Sequence, residues 1–395
     1  MSGPTASKAG GWLGRAAGVA LKVAPWLGLG VMTALWTRAR RKPASGLSQP
    51  ETATPEHFEA TEPGRGRMAP APSRIPLIGW RDVLWRTWME VNQDKLPQVA
   101  GGITFYGLLA IFPAVGVFVS LYGLFADVGK VSQQLDDLAA FVPPQVLSLV
   151  GDQMVRLATQ RHATLSVAFV ISLLFSVWSA NAGVQALFSG LNIAYDEVEK
   201  RSFLMRRALS YGFTLAALLF ITAVTSVLVA VPLYLDRWGL DDSWLVPFRG
   251  VVILVLTAVA FAFIYRFGPS RQKARWRWVR WGAGAAALAW VGGSLGFSWY
   301  VNHFAHYDVT YGSLGALVGF MMWIWFSAMV VLIGAELNAE IEHQTALDST
   351  TGVALPMGER GAEMADTVGV AFEGLHGLWN ETGRKLGKLI GRKGA

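Results

Sequence analysis

The chain has 395 residues and no cysteine, and this absence excludes several kinds of chemistry. Disulfide bonds, zinc sites with thiolate ligands and cysteine nucleophiles all need a thiol. A GxxxxGK[ST] loop, which cradles phosphates in many ATPases, is also missing, and this argues against a built-in ATPase. No motif in the sequence indicates a cofactor.

Charged residues are scarce, at 15% of the chain, whereas 53% of the residues are hydrophobic. This composition predicts an all-α polytopic membrane protein. Six uncharged apolar segments approach or exceed the length needed to cross a hydrocarbon core about 30 Å thick. They predict a six-helix transmembrane bundle within residues 80–343, with spans at about 99–125, 164–187, 208–232, 250–265, 281–301 and 313–335.

The distribution of Lys and Arg predicts the orientation of these spans. Of the 34 cationic residues, 29 fall in the two tails and in the loops 191–207 and 266–280. The positive-inside rule places these segments in the cytoplasm, so both termini are predicted to be cytoplasmic. The same asymmetry explains the net charge of +7 without a nucleic-acid partner, and none is predicted.

Two segments precede the predicted spans, followed by a tryptophan-rich stretch. Residues 1–36 are mildly apolar but contain Arg15 and Lys22, which favours an interfacial or amphipathic segment over an extra span. Residues 37–79 are rich in Pro, Gly, Ser and Thr and predict a disordered cytoplasmic linker. Tryptophans then alternate with cations over Trp80–Lys95, which predicts a helix at the membrane surface with indoles at headgroup level.

Two further segments predict amphipathic helices outside the spans. The outer loop 126–163 has apolar residues at helical spacing on both sides of Pro143–Pro144, predicting two short capping helices. The cytoplasmic tail 344–395 combines an apolar stripe with a basic run, which predicts a surface helix that binds anionic lipid. A partner-binding helix is the alternative. The stripe consists of Met364, Val368, Phe372, Leu375 and Trp379.

Small and polar residues inside the spans predict helix packing or a path for a solute. Small residues four apart on the last two spans predict close approach of helices at Gly292, Gly296, Gly315 and Gly319. A proline in the first span predicts a kink, and the serines of the second span predict interhelical hydrogen bonds or a solute path. The candidate path residues are Pro113, Ser172, Ser176, Ser179, Asn181 and Gln185.

A polar cluster occupies the predicted outer loop between the last two spans. Its two histidines and one aspartate have donor atoms that suit a metal or proton site. An HxxH pair with one carboxylate is a weak signature, however, and a hydrogen-bonded interfacial turn is the favoured interpretation, so no metal is predicted. The cluster comprises His303, His306, Tyr307, Asp308 and Tyr311.

Glu336 is the acidic residue closest to the hydrocarbon, at the inner end of the last span, and it shares a helical face with Glu340. An acid at this depth either pairs with a cation or takes part in proton transfer. We expect Glu336 to pair with an arginine such as Arg206, Arg207 or Arg266, with a protonatable role in a transport cycle as the alternative.

The chain resembles the YihY/BrkB family of bacterial inner-membrane proteins, formerly labelled ribonuclease BN-like. The resemblance covers Trp88–His343 and implies a six-helix integral membrane protein. The older ribonuclease label finds no support in these residues. The motifs that carry the resemblance are Ala100–Tyr106 with Phe112-Pro113, Trp178–Gly183, Leu191–Tyr195 with Arg201, and Phe297–Glu336.

Three functional hypotheses follow. The leading one is a non-enzymatic, transporter-like protein of the bacterial inner membrane that moves a lipid-linked or small amphiphilic solute. The second is a scaffold for envelope assembly, virulence or serum resistance, as the BrkB name implies. A ribonuclease is the least favoured. Membrane lipids are expected partners, while a homo-oligomer and an envelope protein partner are both left open.

Overall fold

The computed structural model describes residues 54–123, 167–237, 246–303 and 315–372, and these ranges contain helices but no strand. The described part belongs to one compact unit that begins at Thr54. A short 3-10 turn covers Pro72–Arg74. The helices are α1 (Pro55–Thr61), α2 (Leu77–Gln93), α3 (Leu96–Gly123), α4 (Val167–Ala194), α5 (Phe203–Arg237), α6 (Val246–Phe267), α7 (Trp276–His303), α8 (Gly315–Glu342) and α9 (Glu363–Asp366).

The all-α membrane fold is confirmed. Each of the six predicted segments overlaps one of the long helices α3 to α8. Within the described ranges, three stretches are long and apolar enough to cross a bilayer, and the six-span count stays a prediction. The three stretches are Phe203–Ile221, Gly250–Phe267 and Leu317–Glu342.

Large apolar side chains are exposed along the outer faces of the long helices. Leu215, Val255 and Leu288 are examples from three different helices. Exposure on this scale is rare on a water-soluble monomer and is expected where helices face lipid. The ion pairs of the described residues gather instead at one end of the bundle. We call it the basic end, and it comprises residues 54–95, 195–207, 266–282 and 336–372.

Helix α8 lies at the centre of the packing. It contacts α2, α3, α4 and α7. One of its faces packs with α4, α6 and α7 through Ala335 and Ala339, and another packs with α3 through Ala328 and Leu332. Alanine at these positions lets neighbouring helices approach closely. The fold therefore places the last turns of α8 in the interior of the basic end.

Residues 54–79 are ordered, which corrects the prediction of a disordered linker over 37–79; the remainder, 37–53, lies outside the described residues. Arg67 is fully buried. Its Nη1 donates to the carbonyl of Gln344 at 3.2 Å, and its Nη2 donates to the carbonyl of Gly369 at 2.7 Å. Ala69 and Ile75 join an apolar cluster with residues of α2, α7 and α8. A segment with few apolar residues is thus held by a buried guanidinium.

The C-terminal segment 343–372 also packs on the basic end. Met364 is buried in the main core, but helix α9 ends at Asp366 and the chain continues without helix to Phe372. The Gly369 amide donates to the carbonyl of His343 at 2.8 Å, which holds the chain in this path. The predicted surface helix is therefore wrong up to Phe372.

Several other predictions fall outside the described residues. These are the segment 1–36, the capping helices of 126–163 and the lipid-binding basic run that follows Phe372.

Candidate functional site

Glu336 is buried inside the basic end, and no described residue forms an ion pair with it. Its residue is only 1% exposed, and its Oε2 makes no hydrogen bond. Among the described residues it forms no ion pair, and the charged groups that act on it most strongly are the acids Glu340, Asp94 and Glu90. A carboxyl in such surroundings carries an uncompensated charge when it is ionised, and this is costly in a low-dielectric interior.

The favoured pairing of Glu336 with Arg206, Arg207 or Arg266 is wrong. Arg266 lies over the Trp276 ring, at 4.4 Å from its centroid, and donates to the carbonyl of Ala274 at 2.6 Å. Arg206 and Arg207 lie at the start of α5, where they contact Ser189, Glu199 and Phe203.

The neighbouring acid on the same face, Glu340, forms a buried ion pair with Arg86 of α2. The Arg86 Nη2 also donates to the Gln344 side chain at 2.8 Å, and its Nη1 donates to the carbonyl of Val370 at 3.0 Å. His343 lies 3.6 Å from Glu340. Glu340 is thus compensated, while Glu336, one turn earlier on α8, is not.

This pairing changes the interpretation of α2. The helix predicted over Trp80–Lys95 exists, but its Arg86 and Asp82 are buried at the basic end rather than solvated. Asp82 accepts from the Arg65 Nη1 at 2.6 Å. Trp88 is exposed on the opposite face, so the membrane-surface orientation of α2 stays a prediction.

The other face of α8 carries a second buried polar group. The Arg271 Nη2 donates to the Glu342 Oε2 at 2.5 Å, and its guanidinium lies 5.0 Å from the Tyr195 ring centroid. Burial alone would lower the pKa of Arg271, but the Glu342 carboxylate outweighs this and raises the pKa. Burial likewise raises the pKa of the Tyr195 phenol. Asn338 accepts from the Gly282 amide at 2.8 Å.

The candidate path residues of α4 are partly placed. The Ser179 hydroxyl donates to the carbonyl of Leu109 at 3.4 Å, an interhelical contact of the kind expected for this serine stripe. Asn181 is fully buried and accepts from Thr214 at 3.3 Å, while its Nδ2 has no hydrogen-bond partner in the described part of the chain. Gln185 is partly exposed. The side chains of Pro113, Ser172 and Ser176 lie outside the described residues.

The close approaches of helices occur at other glycines than Gly292 and Gly296. A Cβ at either of these positions meets nothing within 4 Å among the described residues. A Cβ at Gly282 would overlap the carbonyl oxygen of Gly334, and one at Gly293 would overlap the ring of Phe326. The structure therefore does not bring Gly292 and Gly296 against a described helix. Gly315 and Gly319 are buried, in accord with packing positions.

Of the predicted outer-loop cluster, only His303 is described. It is the last residue of α7, and it stacks on Trp299 with a hydrogen-bond contact of 2.9 Å from its Nδ1 to that residue's carbonyl. His306, Tyr307, Asp308 and Tyr311 lie outside the described residues.

The sequence analysis selected Glu336 as a candidate, but it did not predict the ion pairs and hydrogen bonds that other residues form around it. Arg86 and Glu340 are 254 positions apart, and Arg67 and Gly369 are 302 apart. The only signal available was the presence of cations in segments that composition alone marks as solvated. Three or more His, Asp and Glu residues arranged to hold a metal ion do not occur among the described residues.

Comparison of the sequence with known proteins identifies related membrane proteins. The protein YfkH of Bacillus subtilis, described as ribonuclease-like, is 29% identical over 68% of this chain and 96% of its own length. The UPF0761 membrane protein NTHI0384 of Haemophilus influenzae is 25% identical over 65% of this chain and 93% of its own length. For the UPF0761 membrane protein RSc1559 of Ralstonia nicotianae, the identity is 27%, over 77% of this chain and 67% of the relative.

No solved structure matches the chain. The family model described as virulence factor BrkB matches residues 87–354, which include α3 to α8 with Glu336 and Glu340 and begin one residue after Arg86. With its apolar, lipid-facing helices and this match over most of its length, the chain belongs to the BrkB family of membrane proteins.

Proposed function

We propose that this protein is a transporter-like protein of the bacterial inner membrane, in which Glu336 couples solute movement to the uptake and release of a proton. The solute is lipid-linked or a small amphiphile. The observation that carries the proposal is the burial of the Glu336 carboxyl without a cationic partner at the end of a long apolar helix.

An unpaired acid at this place argues for a role in proton exchange rather than in stabilising the fold. Ionisable residues within membrane segments are rare because they are costly, and they commonly serve proton or ion transfer. Glu340, one turn away, shows that the chain can compensate such a group, since Arg86 pairs with it. The absence of a similar pairing for Glu336 leaves its charge free to change during a transport cycle.

Polar groups deeper in the bundle support the same proposal. Asn181 of α4 and Thr214 of α5 form a buried pair whose amide nitrogen has no hydrogen bond among the described residues. A free donor between two helices can bind a polar group of a passing solute. A pair with a purely structural role is more stable when all of its donors and acceptors form hydrogen bonds. With the charge asymmetry of the loops, both termini and the Glu336 end are cytoplasmic in this proposal.

A scaffold for envelope assembly is the second candidate, and the ordered basic end favours it. The segments that flank the long helices fold back onto them through Arg67 and Arg86. They display exposed apolar residues, such as Val353 and Val370, that a partner protein could cover. The ribonuclease hypothesis draws on the description of YfkH as ribonuclease-like, and the residues described here offer no metal-holding group to support it.

Reconstitution tests the transport proposal. Purified protein in liposomes would be assayed with a fluorescent phospholipid, an isoprenoid-linked lipid and a short-chain amphiphile, with and without an imposed pH gradient. We expect gradient-driven movement of one probe, and at least a tenfold loss in Glu336→Gln. Glu359→Gln, which alters an exposed acid at the same end, is the matched control and should behave as the wild type.

The two candidates give opposite results. Movement of no probe beyond that in empty liposomes, or full activity of Glu336→Gln, contradicts transport. The scaffold hypothesis predicts that deletion of residues 1–53 or 373–395 abolishes the cellular function of the protein. It also predicts that Glu336→Gln leaves that function unchanged. These boundaries leave the ordered segments at the basic end intact.

A further inference from the structure

Two adjacent arginines lie near the start of an apolar helix, and the acid that faces them among the described residues, Glu199, is 4.0 Å from one of them and is shared with Arg201. Arg206 and Arg207 lie in the first two turns of α5, inside the stretch Phe203–Ile221 that is long and apolar enough to cross a bilayer. Cations at the edge of a membrane segment are stabilised by an anion or by the headgroup region. The structure therefore raises the question of which anion serves these two.

The contacts of Arg206 leave part of its guanidinium unused. Its Nη2 donates to the Ser189 hydroxyl at 3.2 Å, and its Nε is buried without a hydrogen bond. The Glu199 carboxylate lies 4.0 Å from that Nε. Glu199 is itself held by Arg201 at 3.1 Å and by the Asn192 amide at 3.2 Å, so it does not neutralise Arg206 in addition.

Arg207 and the nearby lysine complete the charge distribution. The Arg207 guanidinium lies 5.2 Å from the Phe203 ring centroid, and no acid pairs with it among the described residues. Lys200 pairs with Glu197 at 2.8 Å. Among the described residues, Arg207 thus has no acidic partner, and Arg206 shares its acid with Arg201.

The surface beside these arginines is apolar. Phe203 is 74% exposed and Leu204 is 77% exposed, and Val198 and Met205 are also open. Side chains of this size on a membrane helix contact lipid tails. Positive charge and apolar surface in one place match an amphiphile that has an anionic head and hydrocarbon chains.

We propose that Arg206 and Arg207 bind the phosphate of an anionic phospholipid, whose acyl chains lie against Phe203 and Leu204. Arginine forms paired hydrogen bonds with phosphate oxygens, and the Arg206 side chain is 35% exposed beside this apolar surface. A zwitterionic headgroup fits less well, because its own cation is repelled by two guanidinium groups. The site is separate from Glu336, so its test is independent of transport.

Native mass spectrometry of the full-length protein in detergent tests this site with added phosphatidylglycerol or phosphatidylcholine. We expect the wild type to retain phosphatidylglycerol in preference, and the double variant Arg206→Gln, Arg207→Gln to retain it about tenfold less well. The matched control is Arg280→Gln, an exposed cation near the start of α7 at the same end. It should retain the lipid as the wild type does.

Three results would overturn the site. Equal retention of both lipids by the wild type excludes recognition of a net negative headgroup. An equal loss in Arg280→Gln shows that surface charge in general, and not this pair, attracts the lipid. Displacement of the lipid by millimolar inorganic phosphate shows a site for the free ion. Should the double variant fail to fold, Arg207→Gln alone keeps the Ser189 contact of Arg206 and is expected to weaken retention measurably.

Discussion

Arg86 of α2 and Glu340 of α8 form an ion pair at the basic end, and both side chains are almost completely buried. The same guanidinium reaches the carbonyls of Glu340 and Val370. One arginine therefore joins the membrane helix α8, the helix α2 that precedes the spans, and the segment that follows them. Removal of this one side chain would therefore break contacts among all three segments.

We expect Arg86→Met to lower the free energy of unfolding by about 3 to 5 kcal/mol, because it leaves the Glu340 carboxylate buried without its cation. The double variant Arg86→Met, Glu340→Leu should recover part of that loss. Arg81→Gln, which alters a half-exposed arginine on the same helix, should cost under about 1 kcal/mol. Thermal unfolding in detergent measures all three, and equal losses for Arg86→Met and Arg81→Gln would refute the buried pair.

Arg67→Ala should release the segment 54–76 from the basic end. Its guanidinium satisfies two carbonyls and the Glu62 carboxylate, so we expect rapid proteolytic cleavage within this segment and a loss of about 2 to 4 kcal/mol. Arg67→Lys should restore little of this stability, because the lysine ammonium cannot form the same set of hydrogen bonds as the forked guanidinium. Limited proteolysis followed by mass spectrometry locates the cleavage. Protection equal to the wild type in Arg67→Ala would contradict the packing seen here.

Two glycine positions on α7 should respond in opposite ways to alanine. At Gly282 a methyl group would overlap backbone of α8, so Gly282→Ala should be strongly destabilising, by about 3 kcal/mol or more. At Gly292 there is open space, so Gly292→Ala should be neutral or stabilising by about 0.5 to 1 kcal/mol. The unfolding midpoints of the two variants in detergent measure this difference. A large loss at Gly292 would instead indicate a partner packed on that face, such as a second copy of the chain.

The loop after α8 should loosen at low pH through Asp348. Burial alone would raise the pKa of Asp348, but hydrogen bonds from the Leu355 amide and from both donors of Thr350 lower it below the ordinary value of 3.8. A lowered pKa in the folded state gives stability that is present above about pH 4 and is lost as the pH falls further.

The difference in unfolding midpoint between the wild type and Asp348→Asn should therefore be constant from pH 7 to about pH 5 and shrink towards pH 3. Glu359→Gln serves as the control, since this exposed acid should show no such difference at any pH. A difference in unfolding midpoint between the wild type and Asp348→Asn that stays unchanged at pH 3 would contradict the role of the Asp348 charge.

The long helices were predictable because their cause is local in sequence. An uncharged apolar run of sufficient length favours a membrane helix in almost any tertiary context, so all six segments overlap helices of the structure. Helix ends were less predictable: α4 continues to Ala194, seven residues beyond the predicted limit, because Phe188 and Leu191 pack into the main core.

The basic end was not predictable, because it is built from contacts between distant parts of the chain. Composition marked residues 37–79 as disordered, yet Arg67 donates to the distant carbonyls of Gln344 and Gly369. The spacing of Met364 and Phe372 fitted a helix, but the core contact of Met364 and the backbone bond of Gly369 fix another path. Depth in the sequence singled out Glu336, but the lack of an ion pair with it among the described residues depends on where the described arginines lie in the fold.

The bond between Arg67 and Gly369 also constrains the order of biosynthesis. Its two ends are separated by 302 positions, so at about 5 to 20 residues per second the arginine waits roughly 15 to 60 s after its own synthesis for its acceptor. During this interval the spanning helices enter the bilayer while the early segment still exposes a guanidinium without its final ligands. Assembly of the basic end is therefore expected to be a late, post-insertion event, and a chain that stalls before Gly369 should be recognisable to quality-control proteases by that unfinished segment.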